Sequence, residues 1–91
     1  MNILWKDIMP TTARQKAILS LLQPPAVRYT RRLKKTLERD PGYLKAHRED
    51  VGNIVIGFLA GSGFQWHREI FERDWPGILE EALDRLPTKK P

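Results

Sequence analysis

YLKAHREDVGNIVIGFLAG, residues 43–61, holds the longest apolar run of the chain, 54–60, interrupted only by Gly57. Leu44, His47, Val51, Ile54, Val55 and Phe58 recur at i, i+3, i+7, i+10, i+11 and i+14, which makes one continuous stripe on a helix. From residue 54 onward the apolar side chains point in nearly every direction around the axis, and a helix apolar all round must be covered all round. The stretch therefore predicts a central helix on which the rest packs, or the seam of a dimer. Asp40-Pro41 ahead of it offers a cap and a first-position proline. Glu49 and Asp50 would instead suit the start of a new helix. Gly52 and Gly57 each cost about 1 kcal/mol relative to alanine inside a helix, which is tolerable where a neighbour must come close. The rival reading is a strand over 53–59, rich in β-branched residues. Only residues 2–5 offer it a partner, and a lone two-stranded ribbon is marginal.

Outward from that stretch the pattern stays helical. Thr11-Thr12 can cap a helix whose inner face is Ala13, Ala17, Ile18, Leu21 and Leu22. Pro24-Pro25 ends it, since proline disfavours helical geometry in the residue before it, and Pro25 suits the first position of the next helix, Ala26–Arg39. Downstream, Gly61-Ser62-Gly63 reads as a turn, with Gly61 suited to the left-handed residue after a helix. A short helix is expected over 64–73, with Phe64, Ile70 and Phe71 inside. A last one is expected over 75–86, capped by Asp74, on the stripe Trp75, Ile78, Leu79, Ala82, Leu83 and Leu86. The expected fold is all-α: a single domain over 1–86, about five helices around a central apolar helix, followed by a frayed polar tail at 87–91. The alternative is α+β, with a short two-stranded ribbon using 53–59.

Ninety-one residues bound the chain to one domain with a thin core. With 41% hydrophobic residues it can fold. It has no cysteine, which excludes disulfides, a thiol nucleophile and cysteine-rich zinc sites. MNILWKDIMP shows no basic start followed by an apolar block, so no secretory signal is expected. The run at 54–60 is far short of the ~20 residues that span a bilayer. The expected location is cytoplasmic.

The net charge is +5 and unevenly placed: residues 1–50 carry eleven Lys/Arg against five Asp/Glu, and residues 51–91 five against six. The polarised segment is 26–39. Ala26, Tyr29, Thr30, Leu33 and Leu37 share one side of its helical wheel, and Arg28, Arg32, Lys35 and Arg39 run at i, i+4, i+7 and i+11 on the other. Arg31 sits beside them, Lys34 lies at the margin, and Glu38 is the one acid. Several Lys/Arg on one side, spaced along an axis, match the charged backbone of a nucleic acid, and arginine adds flat two-pronged contacts to phosphate. The opposing reading is a solvated face, balanced in part by Glu69, Glu72, Glu80, Glu81 and Asp84. RQxxILxLL over 14–22, then a turn and a basic helix, has the look of a helix-turn-helix over about a quarter of the chain. Its turn, Gln23-Pro24-Pro25, lacks the usual glycine.

The remaining chemistry is sparse. His47 and Asp50, at i, i+3, could share an ion, yet His47 lies on the apolar stripe and His67 stands alone, with no motif such as HExxH. Trp5, Trp66 and Trp75 could stack on bases or simply pack. Gly61-Ser62-Gly63 lacks the lysine and length of a phosphate loop. With no paired-carboxylate or metal motif, no enzymatic activity and no cofactor are expected. Two functions fit. One is a small basic protein laying Arg28, Arg31, Arg32, Lys35 and Arg39 along DNA or RNA phosphates, with weak sequence preference. The other is a homo-oligomeric interaction module with Ile54, Val55, Phe58 and Leu59 at its interface, where the Gly57–Gly61 spacing would leave bare backbone for close approach.

Overall fold

A computed structural model describes residues 11–61 and 67–86. Among them there are five helices and no strand: α1 Thr11–Leu21, α2 Ala26–Arg39, α3 Tyr43–Ala46, α4 Arg48–Gly61 and α5 Arg68–Arg85. The all-α expectation holds, and 53–59 is helical rather than part of a ribbon. The readings of residues 1–10, of Ser62-Gly63, of Phe64 and Trp66, and of the tail at 87–91 fall outside the described residues.

The stretch 43–61 is two helices rather than one. The chain breaks at His47 (φ −118°, ψ 31°), whose amide closes α3 onto the Tyr43 carbonyl and whose carbonyl receives the Val51 amide of α4. Glu49 and Asp50 fall in the first turn of α4, where negative charge opposes the helix dipole favourably. They are start signals, and His47 is exposed rather than on a buried stripe. Asp40 closes α2, its amide bonded to the Thr36 carbonyl, instead of capping the stretch. Pro25 likewise stands just before α2 rather than at its first position.

A second correction concerns the C-terminal half. Arg68–Arg85 is one helix of 18 residues with Pro76 inside it. Asp74 therefore caps nothing. Pro76 lacks an amide for the Glu72 carbonyl and would normally break a helix, but both flanks of α5 are held by burial: Phe71, Trp75, Ile78, Leu79 and Ala82 all enter the core. Gly61 is the last residue of α4 and does not adopt the left-handed conformation.

The core joins Ile18 and Leu21 of α1, Leu33 of α2, Val51, Val55 and Leu59 of α4, and Phe71, Ile78 and Leu79 of α5. Helix α4 packs on α5 and α1, and α5 also meets α1 and α2. Gly52 has a specific reason. A Cβ there would stand 2.9 Å from Trp75 Cζ2 and 3.0 Å from Cε2, so the indole lies flat against bare α4 backbone. Among the described residues nothing covers the outer side of α4, where Asn53, Ile54, Gly57 and Gly61 are exposed.

Candidate nucleic-acid interface

The basic face is positioned by what α2 buries. Ala26, Thr30 and Leu33 enter the core, with Tyr29 and Leu37 half-buried beside them. Thr30 is fully buried, and its hydroxyl donates to the Leu21 carbonyl at 2.9 Å and the Ala26 carbonyl at 3.0 Å. It thus satisfies the last residue of α1, which a helix end would leave without a partner. Lys34, marginal on the wheel, turns inward. Its Nζ donates to the carbonyls of Leu83 at 2.9 Å and Leu86 at 3.2 Å, fastening α2 to the end of α5, where positive charge is favoured.

With those contacts fixing the helix, Arg28, Arg31, Arg32, Lys35 and Arg39 are all exposed. At 100° and 1.5 Å per residue they occupy about 100° of arc over about 17 Å of axis. Among the described residues none of the five forms an ion pair. Three acids of α5 are engaged by other cations. Glu72 pairs with Arg68 at 3.0 Å, and Glu81 with Arg85 at 2.9 Å and Arg14 at 3.5 Å. Arg14 also bonds Asp74, which is buried between α1 and α5. Burial raises the Asp74 carboxyl above the ordinary range, against the smaller opposing pull of the Arg14 charge and hydrogen bond.

Next to the cations lies a row of rings that the sequence reading did not assemble. Tyr29 packs on Phe58 of α4 with centroids 5.7 Å apart, and Tyr43 on His47 at 4.4 Å. Burial, and secondarily the neighbouring Tyr43, push the Tyr29 hydroxyl above its usual value, so it stays a neutral donor. The available signal was local: Tyr29 precedes Arg32 by three residues, and such pairs are neighbours on a helix surface.

The other sequence candidates separate. Val55 and Leu59 are fully buried in the chain's own core, so they cannot line an interface of the folded protein; Ile54, 42% exposed, and half-buried Phe58 can. Leu19, an apolar position of the helix-turn-helix pattern, is 47% exposed. Trp75 is 5% exposed with the Arg48 guanidinium 5.3 Å above its ring, so it is closed to a base. Beside it runs an open groove of about 720 Å³, to which α4 contributes Arg48 and Glu49 and α5 contributes Arg68 and Glu72; its charges cancel. His67 is buried and meets Phe71 edge-on at 5.9 Å. Among the described residues no three His, Cys, Asp or Glu are grouped to hold a metal, and no helix is long and apolar enough to cross a membrane. Compared with protein families, curated proteins and solved structures, the chain finds no match.

Proposed function

We propose that this is a nucleic-acid-binding protein, and not a catalyst, that lays α2 along a phosphate backbone through Arg28, Arg31, Arg32, Lys35 and Arg39. The observation that supports it is the set of five exposed cations, without an ion pair among the described residues, on one arc of a helix held from behind. A solvated face ordinarily mixes signs; here Glu38, at the edge of the arc, is the one acid on α2, and Glu72, Asp74 and Glu81 of α5 are taken by Arg14, Arg68 and Arg85. The face offers charge and guanidinium forks without a set of amides aimed at base edges, so sequence preference is weak. The test is salt dependence. Five phosphate contacts give a slope of log affinity on log salt of about −4.5 on duplex and about −3.5 on a single strand. Changing Arg28, Arg32 and Lys35 together to Gln leaves two contacts and a slope of about −1.8 or −1.4. Absence of binding at low salt, or an affinity indifferent to salt, refutes the proposal.

A second reading is favoured by the outer side of α4. Ile54 and Phe58 stand there beside Gly57 and Gly61, where a Cβ would meet nothing within 4 Å. A second copy laid against that face, about a two-fold axis, would cover it. Sedimentation at micromolar concentration separates the readings: a dimer dissociated by Phe58→Asp supports this one, and a stable monomer removes it.

A further inference from the structure

We infer that the ring-lined edge where α2 meets α4 takes unpaired bases, which makes single-stranded nucleic acid the ligand of the basic face. The inference rests on the phosphate-binding reading of α2 and adds the part of the ligand that α2 does not touch. From Arg32 the surface passes to Tyr29, then across the helix boundary to Phe58, then one turn along α4 to Ile54. It changes within a few residues from strongly cationic to uncharged. Helix α4 carries no charged residue from Val51 to Gly61. A strand whose phosphates follow α2 would therefore place its bases over rings and bare backbone. At Gly57 and Gly61 nothing lies within 4 Å of where a Cβ would stand, so a flat base can come down on the helix itself. Tyr43 and exposed His47 supply a second ring pair at the start of α4.

The same edge is poorly suited to a duplex. Paired bases keep their faces inside their own stack, and rings bind them only when they are splayed out. Against a duplex, Ile54 and Phe58 would be pressed towards phosphates and desolvate them without return. Single strands combine the two needs, a cationic track and stacking platforms.

The test uses the full chain and labelled strands of about twelve nucleotides, within the usual site size, read by fluorescence anisotropy. The probes are an oligothymidylate, an oligouridylate, an abasic strand of equal length, and a duplex. The abasic strand keeps every phosphate and removes every base. The base-bearing single strands are expected to bind about fivefold or more tightly than the abasic strand for each base stacked, and more tightly than the duplex. Tyr29→Leu should remove that advantage while leaving the salt slope unchanged, and Tyr29→Phe should keep it. If Tyr29→Leu fails to fold, the abasic comparison on the unmodified chain decides alone. Either strand showing the advantage upholds the inference, and their ratio identifies DNA or RNA. Abasic strand and duplex bound as tightly as the base-bearing strands overturn the inference and leave phosphate binding standing. No binding of any strand at low salt overturns both.

Discussion

Alanine at Gly52 and at Gly57 is the same chemical change made in the same helix five residues apart, and the two are expected to act in opposite directions. Each removes the roughly 1 kcal/mol penalty of a helical glycine. At Gly57 nothing lies within 4 Å of the new methyl, so the gain is kept. Stability should rise by about 1 kcal/mol, or roughly 4–8 °C in Tm for a domain of this size. At Gly52 the methyl would stand 2.9 Å from Trp75 Cζ2. The indole is 5% exposed with the Arg48 guanidinium over its ring, so making room for the methyl means displacing both. Overpacking of this kind costs about 1–3 kcal/mol. After the propensity gain the net is a loss of about 1 kcal/mol, so the two variants should differ by about 2 kcal/mol, or roughly 10 °C. Thermal unfolding followed by circular dichroism measures both. Because propensity cancels between them, the difference isolates the contact with Trp75. Equal shifts of the same sign would refute the account of how α4 and α5 are held together.

Three further outcomes follow from other contacts. Arg14→Met should destabilise by roughly 3 kcal/mol at neutral pH, because it strands the Asp74 carboxylate. Asp74 already titrates above its unfolded value: the folded state takes up the proton first, so its contribution falls as pH rises through that window. Losing Arg14 raises the folded value further, so the variant's deficit, measured by denaturant unfolding, should shrink as pH is lowered from neutral through the range where the carboxyl takes up its proton; a pH-independent deficit would contradict this. Lys34→Met should loosen the end of α5, seen as faster amide exchange near Leu86, with little change in strand affinity, since its ammonium faces protein carbonyls. An affinity loss as large as that of Lys35→Gln would place Lys34 on the binding face instead. Thr30→Val should cost about 1–3 kcal/mol in chemical denaturation, because the Leu21 carbonyl loses its donor inside the core; a neutral result would show that water or backbone replaces the hydroxyl.

What could be read from the sequence was what the chain settles locally. The cationic arc of α2 depends only on spacing along one helix, and its residues all stand where the wheel places them. The boundary between α1 and α2 is written by Pro24-Pro25. Features decided by distant partners stayed hidden. Asp74-Trp75-Pro76 has the form of a helix start, yet Asp74 answers Arg14, sixty positions away, and burial on both sides carries α5 through the proline. His47 continues an i, i+3 pattern so well that the break there shows only in the acids that follow it. Gly52 makes sense once Trp75 lies on it. The ring row was missed because Tyr29, Tyr43 and Phe58 come from three helices, and each alone looks like ordinary half-buried packing.

The buried hydroxyl of Thr30 has a consequence beyond stability. It sits on the side of α2 away from the cations and reaches two carbonyls, of Leu21 and Ala26. A slip of one residue along the helix would turn α2 by about 100°. That rotation would swing Arg31 towards the core, expose Leu33 and leave the hydroxyl facing hydrocarbon. Thr30 therefore works as an index pin. It sets the angle at which the protein shows its charge to the outside, and a ligand that meets α2 meets it already aimed.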